Sequence, residues 1–372
     1  MRAAIVHERL TEVAGSEHVV TQLAAQWPDA PIHIPIVDGR IECDFSDRVQ
    51  TGTLSQAYRM MRYRTYAPLL PLTPVFFSRC DFGSAELVFI SHHAFGVAAA
   101  YAAGPRPTIA YVHSPARWAW DKDMREGEAS SLPGRAALSV LARLAITTEV
   151  RASQRLTTVV ANSTAVAERI RRRWNRECSV VHPPVDTEYF TPDPDRASGD
   201  YYLVAGRLVP YKRPDIAIKA AIKARVPLVV AGVGRGAESN KELAEGHPVS
   251  FTGRVSNEEL RRLMRGAKAL IMPGEEDFGI VPVEAMACGT PVIALGIGGA
   301  RDSIVDGVTG RLIPFGDDES IIDAMADELI RFDREQFDPH EVRRHAERFS
   351  RSAFRRGMAD VAARTMAEHS GR

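Results

Sequence analysis

Along the first half of the chain, short apolar runs alternate with stretches whose apolar positions recur every three or four residues. RAAIVH (Arg2–His7), ELVFI (Glu86–Ile90), PTIAYV (Pro107–Val112) and TTVVA (Thr157–Ala161) hold too few polar positions for a half-solvated strand. Such near-continuous runs predict strands of a parallel sheet covered on both faces by helices. Glu17–Gln26 and Ala165–Arg173 carry the helical period. The pattern then restarts with DYYLVA (Asp200–Ala205), LVVAG (Leu228–Gly232), VSFT (Val249–Thr252), ALIM (Ala269–Met272) and PVIA (Pro291–Ala294). Helical stretches over Arg213–Ala224, Ser256–Arg265 and Pro282–Ala287 separate these strands. Between the two series lies HPPVDTEYFTPDPD (His182–Asp195), whose prolines break helices and favour an extended linker. The expectation is an α/β protein with two Rossmann-like doubly wound domains, 1–185 and 186–349, facing an interdomain cleft. Ligands of such sheets bind beyond the carboxyl ends of the strands. The Arg-rich helix expected over 350–372 either crosses back to the first domain or stands as a solvated terminal helix.

Composition narrows the function. The 372 residues suit two ordinary domains, and 47 Lys+Arg balance 47 Asp+Glu. A zero net charge argues against a nucleic-acid binder, which needs a positive face. Cys43, Cys80, Cys178 and Cys288 lie far apart with no metal-ligand spacing, so they read as reduced thiols of a cytosolic protein. His7, Glu8 and Arg9 arrive too early for the apolar core of a signal peptide, and no run of about 18 apolar residues could span a membrane.

Four segments carry candidate chemistry. In PGEEDFGIVPVEAMACGTP (Pro273–Pro291) a strand ends at Met272 and a helix starts near Ile280. That junction offers unpaired backbone N–H groups suited to phosphate, and Gly279 lets an anion approach closely. Glu276 at the loop mouth and Glu284 about one turn into the helix could accept hydrogen bonds from sugar and ribose hydroxyls, or could be a capping acid and an ordinary helix residue. In GRLVPYKR (Gly206–Arg213), Arg207 and Lys212 flank a turn at a strand end and either neutralise a diphosphate or stand as surface charges. Gly15 in TEVAGSE (Thr11–Glu17) precedes a helix with Ser16 or Glu17 in its first turn, and marks either a close-approach loop facing the cleft or only a turn. In YVHSPARWAWD (Tyr111–Asp121), His113 sits just past a strand, where it is either a cleft residue or structural. Trp118 and Trp120 either stack on a sugar or fill core. Asp121-Lys122-Asp123 has the spacing of a metal motif but reads as a loop of solvated charges, and RIRRRW (Arg169–Trp174) reads as a solvated helix face.

Together these segments resemble the retaining nucleotide-sugar glycosyltransferases of the GT-B fold, specifically glycosyltransferase family 4. The Glu276…Glu284 pair within EDFGIVPVEAMACGTPVIA is the most specific mark, and VAGRLVPYKR, FTGRVSNEEL, NSTAVAERI, HPPVDTEYF and GGARDSIVDGVTG are family-like. The wording of YVHSPARWAWD and PGEEDFGIVPVEA is similar to the bacterial mannosyltransferase branch. Ala14 departs from the family, which often has a second Gly there.

The resemblance implies a hexose, mannose from GDP-mannose on the branch likeness or else a sugar from a UDP-sugar, moved to a glycan or lipid-linked acceptor without metal or cofactor. It implies that Arg207 and Lys212 hold the diphosphate. Phe278, Gly279, Ile280 and Val281 would offer backbone contacts, Glu276 would hold the donor sugar, and Glu284 the ribose. Arg254 and Val255 would lie beside the base, Gly15 would border the diphosphate and acceptor, and His113 would contact the transferred sugar. The mechanism it implies is front-face substitution. A nucleotide-sugar epimerase and a non-catalytic sugar-nucleotide-binding subunit remain open alternatives.

From Arg48 to Cys80 there are five Arg and no acid. This stretch is either a surface that meets an anionic membrane through Arg59, Arg62 and Arg64 at the inner face of the cell membrane, or a buried helix with Arg outside.

Overall fold

The computed structural model describes residues 1–121, 124, 132–193 and 199–371. Lys122, Asp123, Pro194 and Asp195, which the sequence places in a charged loop and a linker, lie outside the described residues. The chain forms two compact units, Met1–Pro184 with Ser352–Arg372, and Val185–Arg351.

The first unit holds a parallel sheet built from β1 (Ala3–His7), β2 (Ile32–His33), β3 (Val49–Gln50), β4 (Leu87–His92), β5 (Thr108–Val112), β6 (Thr158–Ala161) and β7 (Ser179–Val180). Their spatial order is β3-β2-β1-β4-β5-β6-β7. All five residues of β1 and all six of β4 are buried. That burial explains their unbroken apolar sequence, since helices cover both faces. The helix Arg351–Ser370 packs on this unit: Phe354, Met358, Val361 and Ala362 join the core of Ile5, Phe89 and Tyr111.

The second unit repeats the plan with β8 (Tyr202–Ala205), β9 (Leu228–Ala231), β10 (Val249–Gly253), β11 (Leu270–Met272), β12 (Val292–Leu295) and β13 (Gly310–Ile313), ordered β10-β9-β8-β11-β12-β13. In each sheet the order reverses once, between β1 and β4 and between β8 and β11. Successive connections leave opposite faces of the sheet there, which opens a crevice at the carboxyl edge.

Two sequence expectations change. β4 runs on to Ser91 and His92 rather than stopping at Ile90, because both polar side chains are hydrogen-bonded within the core. RIRRRW is a solvated face only at Arg171 and Arg172. Arg169 and Trp174 are buried, Arg169 donates to Ser114 (3.3 Å), and Arg173 pairs with Asp121 at 2.5 Å. Asp121, read as solvated, is therefore held by an arginine.

Candidate functional site

In the second unit, the segments that carry candidate chemistry lie at the carboxyl ends of the strands. The turn 206–213 follows β8 and the loop 273–279 follows β11, so the two flank the order reversal. The ammonium of Lys212 lies 2.5 Å from Glu276 Oε1, with each side chain about one-fifth exposed (22% and 20%). Arg207 is exposed on the same turn, its guanidinium 3.4 Å from the Tyr211 hydroxyl. Arg213, the third cation of GRLVPYKR, is committed elsewhere. It adopts φ 54° ahead of Pro214 and pairs with Asp215 (3.0 Å) and Asp318 (2.6 Å).

Glycines let the loop backbones meet. A Cβ at Gly274 would lie 2.7 Å from the Lys212 backbone, and one at Gly299 would lie 2.2 Å from Phe278 Cα. The Gly299 N–H also donates to the Glu276 carbonyl at 2.9 Å. The loop bearing Glu276 is thus clamped between the turn after β8 and the segment 298–299. It ends at Gly279, whose φ of 88° favours glycine, and the helix Ile280–Ala287 begins. The first backbone N–H groups of that helix have no partner within it. Phe278 is buried, and its ring packs on Phe349 with centroids 5.4 Å apart. Ile280 and Val281 are partly buried at the helix start.

Glu284 sits in this helix. Burial, and then the nearby Asp186 carboxylate, push its carboxyl up to about 7. Arg254 is exposed just beyond β10, and Val255 packs on the edge of the core. The structure brings Lys212 against Glu276 at the start of the helix bearing 280–281, while Arg254 follows β10 at the edge of the sheet.

Gly15 and His113 belong to the first unit. Gly15 starts the helix Gly15–Gln26, and Glu17 in its first turn accepts the Ala14 N–H at 3.0 Å. His113 lies one residue beyond β5, partly buried. Burial above all pushes its imidazole down to about 3, so it is neutral near pH 7. Its Nε2 meets Ser91 Oγ at 2.9 Å, and Ser91 Oγ lies 3.1 Å from His7 Nδ1. His7 Nε2 in turn meets Glu17 Oε1 at 3.2 Å.

Beside this chain, His92 Nε2 lies 3.0 Å from Glu149 Oε1 and His92 Nδ1 lies 3.4 Å from Glu8 Oε1. Burial alone would lower His92, but the hydrogen bonds to Glu149 and Glu8 raise it to about 9. Glu8 also accepts the N–H groups of Ala94 (3.0 Å), Phe95 (2.7 Å) and Gly96 (2.5 Å), which fixes the turn after β4. Trp120 donates to Glu149 at 2.6 Å and Trp118 packs on the core, so both have packing roles.

Sequence reasoning passed over His7, Glu8, Ser91, His92 and Glu149. A signal was present: AIVHE, FISHH and YVHS each carry histidine at or just past the end of an apolar run, a costly placement unless the imidazole is satisfied.

Comparison with known proteins agrees with this architecture. A profile described as "Glycosyltransferase Family 4" matches residues 13–189, and one described as "Glycosyl transferases group 1" matches residues 189–336. D-inositol 3-phosphate glycosyltransferase of Mycobacterium sp. strain KMS is 38% identical over 179 residues, which is 42% of this chain and 40% of that protein. Its counterpart in Mycolicibacterium smegmatis is 36% identical over 209 residues, 51% of this chain and 45% of the relative. The chain thus spans less than half the length of these relatives. Among solved structures, Anabaena HepE in complex with UDP-glucose superposes with a TM-score of 0.70 at 20% identity, covering 98% of this chain and 99% of that one. Sucrose-phosphate synthase of Thermosynechococcus elongatus gives 0.71 at 18% identity, covering 99% of each. At these identities the likeness is one of fold.

Proposed function

The chain belongs to glycosyltransferase family 4 and has the GT-B fold, and on that premise we propose that it moves a hexose from a nucleotide sugar to a hydroxyl of a glycan or glycolipid, with retention at the anomeric carbon. The observation that carries this reading is the Lys212–Glu276 pair, which sets a cation and a carboxylate at the order reversal of the second sheet.

In the proposed reaction the bond between the anomeric carbon and the diphosphate oxygen breaks. The acceptor oxygen bonds to the same carbon from the same face, and its proton passes to a phosphate oxygen of the leaving group. Negative charge grows on the diphosphate as the sugar acquires oxocarbenium character. Lys212 and Arg207 neutralise that charge, assisted by the backbone N–H groups of Gly279, Ile280 and Val281 next to Phe278. An ammonium has three donors, so Lys212 can keep Glu276 while it meets a phosphate. Glu276, oriented by Lys212 and by the bond from Gly299 to its carbonyl, accepts from sugar hydroxyls. Glu284 takes the ribose, Arg254 and Val255 flank the base, Gly15 borders the diphosphate and acceptor, and His113 meets the transferred sugar.

The donor we assign is GDP-mannose, on the wording of YVHSPARWAWD and PGEEDFGIVPVEA. A UDP-hexose is the second reading, favoured by the UDP-glucose in the HepE complex. Incubation with each donor, beside glycan, glycolipid and inositol phosphate acceptors, tests both. A new glycoside that keeps the donor's anomeric configuration supports transfer with retention. Inverted product refutes retention, and an epimerised donor or binding without turnover refutes transfer.

We further propose that this chemistry takes place at the inner face of the cell membrane, with Arg59, Arg62 and Arg64 against anionic lipid. All three are exposed, as are Met60 at 84% and Leu72 at 51%. Among the described residues no helix is long and apolar enough to cross a membrane. Flotation with phosphatidylglycerol vesicles should carry the protein upward, and neutral vesicles should not. Equal flotation with both would contradict the electrostatic contact.

A further inference from the structure

We propose that Glu17, His7 and Ser91 are positioning residues that fix the tautomer of His113, holding its proton on Nε2 and leaving Nδ1 a bare acceptor for a sugar hydroxyl. The assignment of the hydroxyl rests on the transferase reading above; the assignment of the tautomer does not.

Glu17 Oε1, His7 Nε2, His7 Nδ1, Ser91 Oγ and His113 Nε2 are joined by steps of 3.2, 3.1 and 2.9 Å. His7 and Ser91 have no exposed surface and Glu17 has 5%, so water does not interrupt the chain. Burial alone would raise the Glu17 carboxyl, but its interactions with His7, together with weaker neighbours, outweigh burial and hold the group well below the usual carboxylate range. Its other oxygen already accepts from Ala14 N–H and Ser16 O–H, each at 3.0 Å. An ionised carboxylate only accepts, so His7 Nε2 must donate.

A His7 ring that holds only this proton carries a lone pair on Nδ1, which takes the Ser91 O–H at 3.1 Å. The Ser91 oxygen must accept from His113 Nε2–H, and the neutral His113 ring is left with a bare Nδ1. Among the described residues none hydrogen-bonds that nitrogen. The opposite polarity requires a second proton on His7. That imidazolium would sit among the Glu17 carboxylate, His93 (ring centroids 6.2 Å away) and His113, with Arg9 held at 2.7 Å from His93 Nε2.

The register of the sheet makes the arrangement rigid. His7 on β1 is paired with Ser91 on β4, and the His113 N–H donates to the His92 carbonyl at 2.9 Å. Three neighbouring strand ends therefore set the ring's place, while the side-chain relay sets which nitrogen is protonated.

Nitrogen-15 NMR of histidine-labelled full-length protein, with His113 assigned by its loss in His113→Gln, tests the tautomer without any substrate. Wild type should show a protonated-type Nε2 and a bare-type Nδ1. Ser91→Ala should shift both signals toward averaged values, and Ser91→Thr, which keeps the hydroxyl, should restore them. A wild-type His113 protonated on Nδ1, or nitrogen shifts unchanged in Ser91→Ala, would overturn the proposal. Should Ser91→Ala fail to fold, Glu17→Leu serves, since loss of the carboxylate also frees the polarity of His7. With an active donor, Ser91→Ala should lower kcat/KM about tenfold, the worth of one hydrogen bond, and Ser91→Thr should recover it. The predicted NMR pattern without turnover on any donor would leave the relay standing and remove the transferase reading alone.

Discussion

Lys212 Nζ and Glu276 Oε1 are 2.5 Å apart, although 64 residues separate them in sequence. The pairing exists because β8 and β11 are neighbours in the sheet and their connections part on opposite faces. A partly exposed ion pair contributes little to stability, so its placement points to chemistry rather than to holding the fold. Glu276→Gln should therefore leave the melting temperature nearly unchanged. It should keep nucleoside diphosphate binding, because Lys212 loses a competing anion, while turnover falls about 100-fold or more. Titration calorimetry alongside initial rates checks both halves.

Gly299→Ala should act through shape. Its φ of −69° is ordinary, so no backbone strain follows. The added methyl would meet Phe278 Cα at 2.2 Å and must push the loop that carries Glu276. Overpacking of this kind costs about 1–3 kcal/mol. Thermal unfolding should show a drop of several degrees, with a larger proportional loss of turnover than of stability.

His92 makes stability depend on pH. Its folded value near 9 lies above the unfolded 6.5. The contribution is fully present below 6.5 and is lost as pH rises through about 9. The wild type should lose on the order of 2 kcal/mol between those limits, and His92→Gln should be less stable at pH 6 with a flatter profile. Urea unfolding at pH 6 and pH 9.5 measures the difference.

Glu284 acts in the same direction for a different reason. Burial raises its carboxyl to about 7 from 4.5, so between those values the folded chain holds a proton that the unfolded chain has released. Stability of the free protein should fall as pH rises through that window, by roughly 1–3 kcal/mol, and Glu284→Gln should remove this slope. Affinity for a nucleoside diphosphate should rise over the same window in wild type, since the carboxylate is the better acceptor for ribose hydroxyls.

The long buried strands were legible because burial on both faces leaves a continuous apolar run, as in β1 and β5. The two-residue strands β2, β3 and β7 were not, since so short a ladder depends on its neighbours rather than on its own pattern. β13 begins at Gly310, where a Cβ would meet the Val292 carbonyl oxygen at a distance far below contact, a packing demand invisible in GRLI alone. Around the candidate site, the break before Ile280 could be read from Gly279. The pairing of Lys212 with Glu276 could not, because it follows from strand order. The role of Glu17 was hidden in the same way: its place in the first helical turn was readable, but its bond to His7 needs the helix to fold back on β1.

Titration calorimetry of GDP against GMP, and of UDP against UMP, tests most directly whether Lys212 holds the donor's diphosphate. In wild type the cognate diphosphate should bind more tightly than its monophosphate by about tenfold or more, the worth of a charge-assisted hydrogen bond. In Lys212→Met that gap should close while monophosphate affinity stays the same. An equal gap in wild type and Lys212→Met, or no preference for the diphosphate in wild type, would contradict the account.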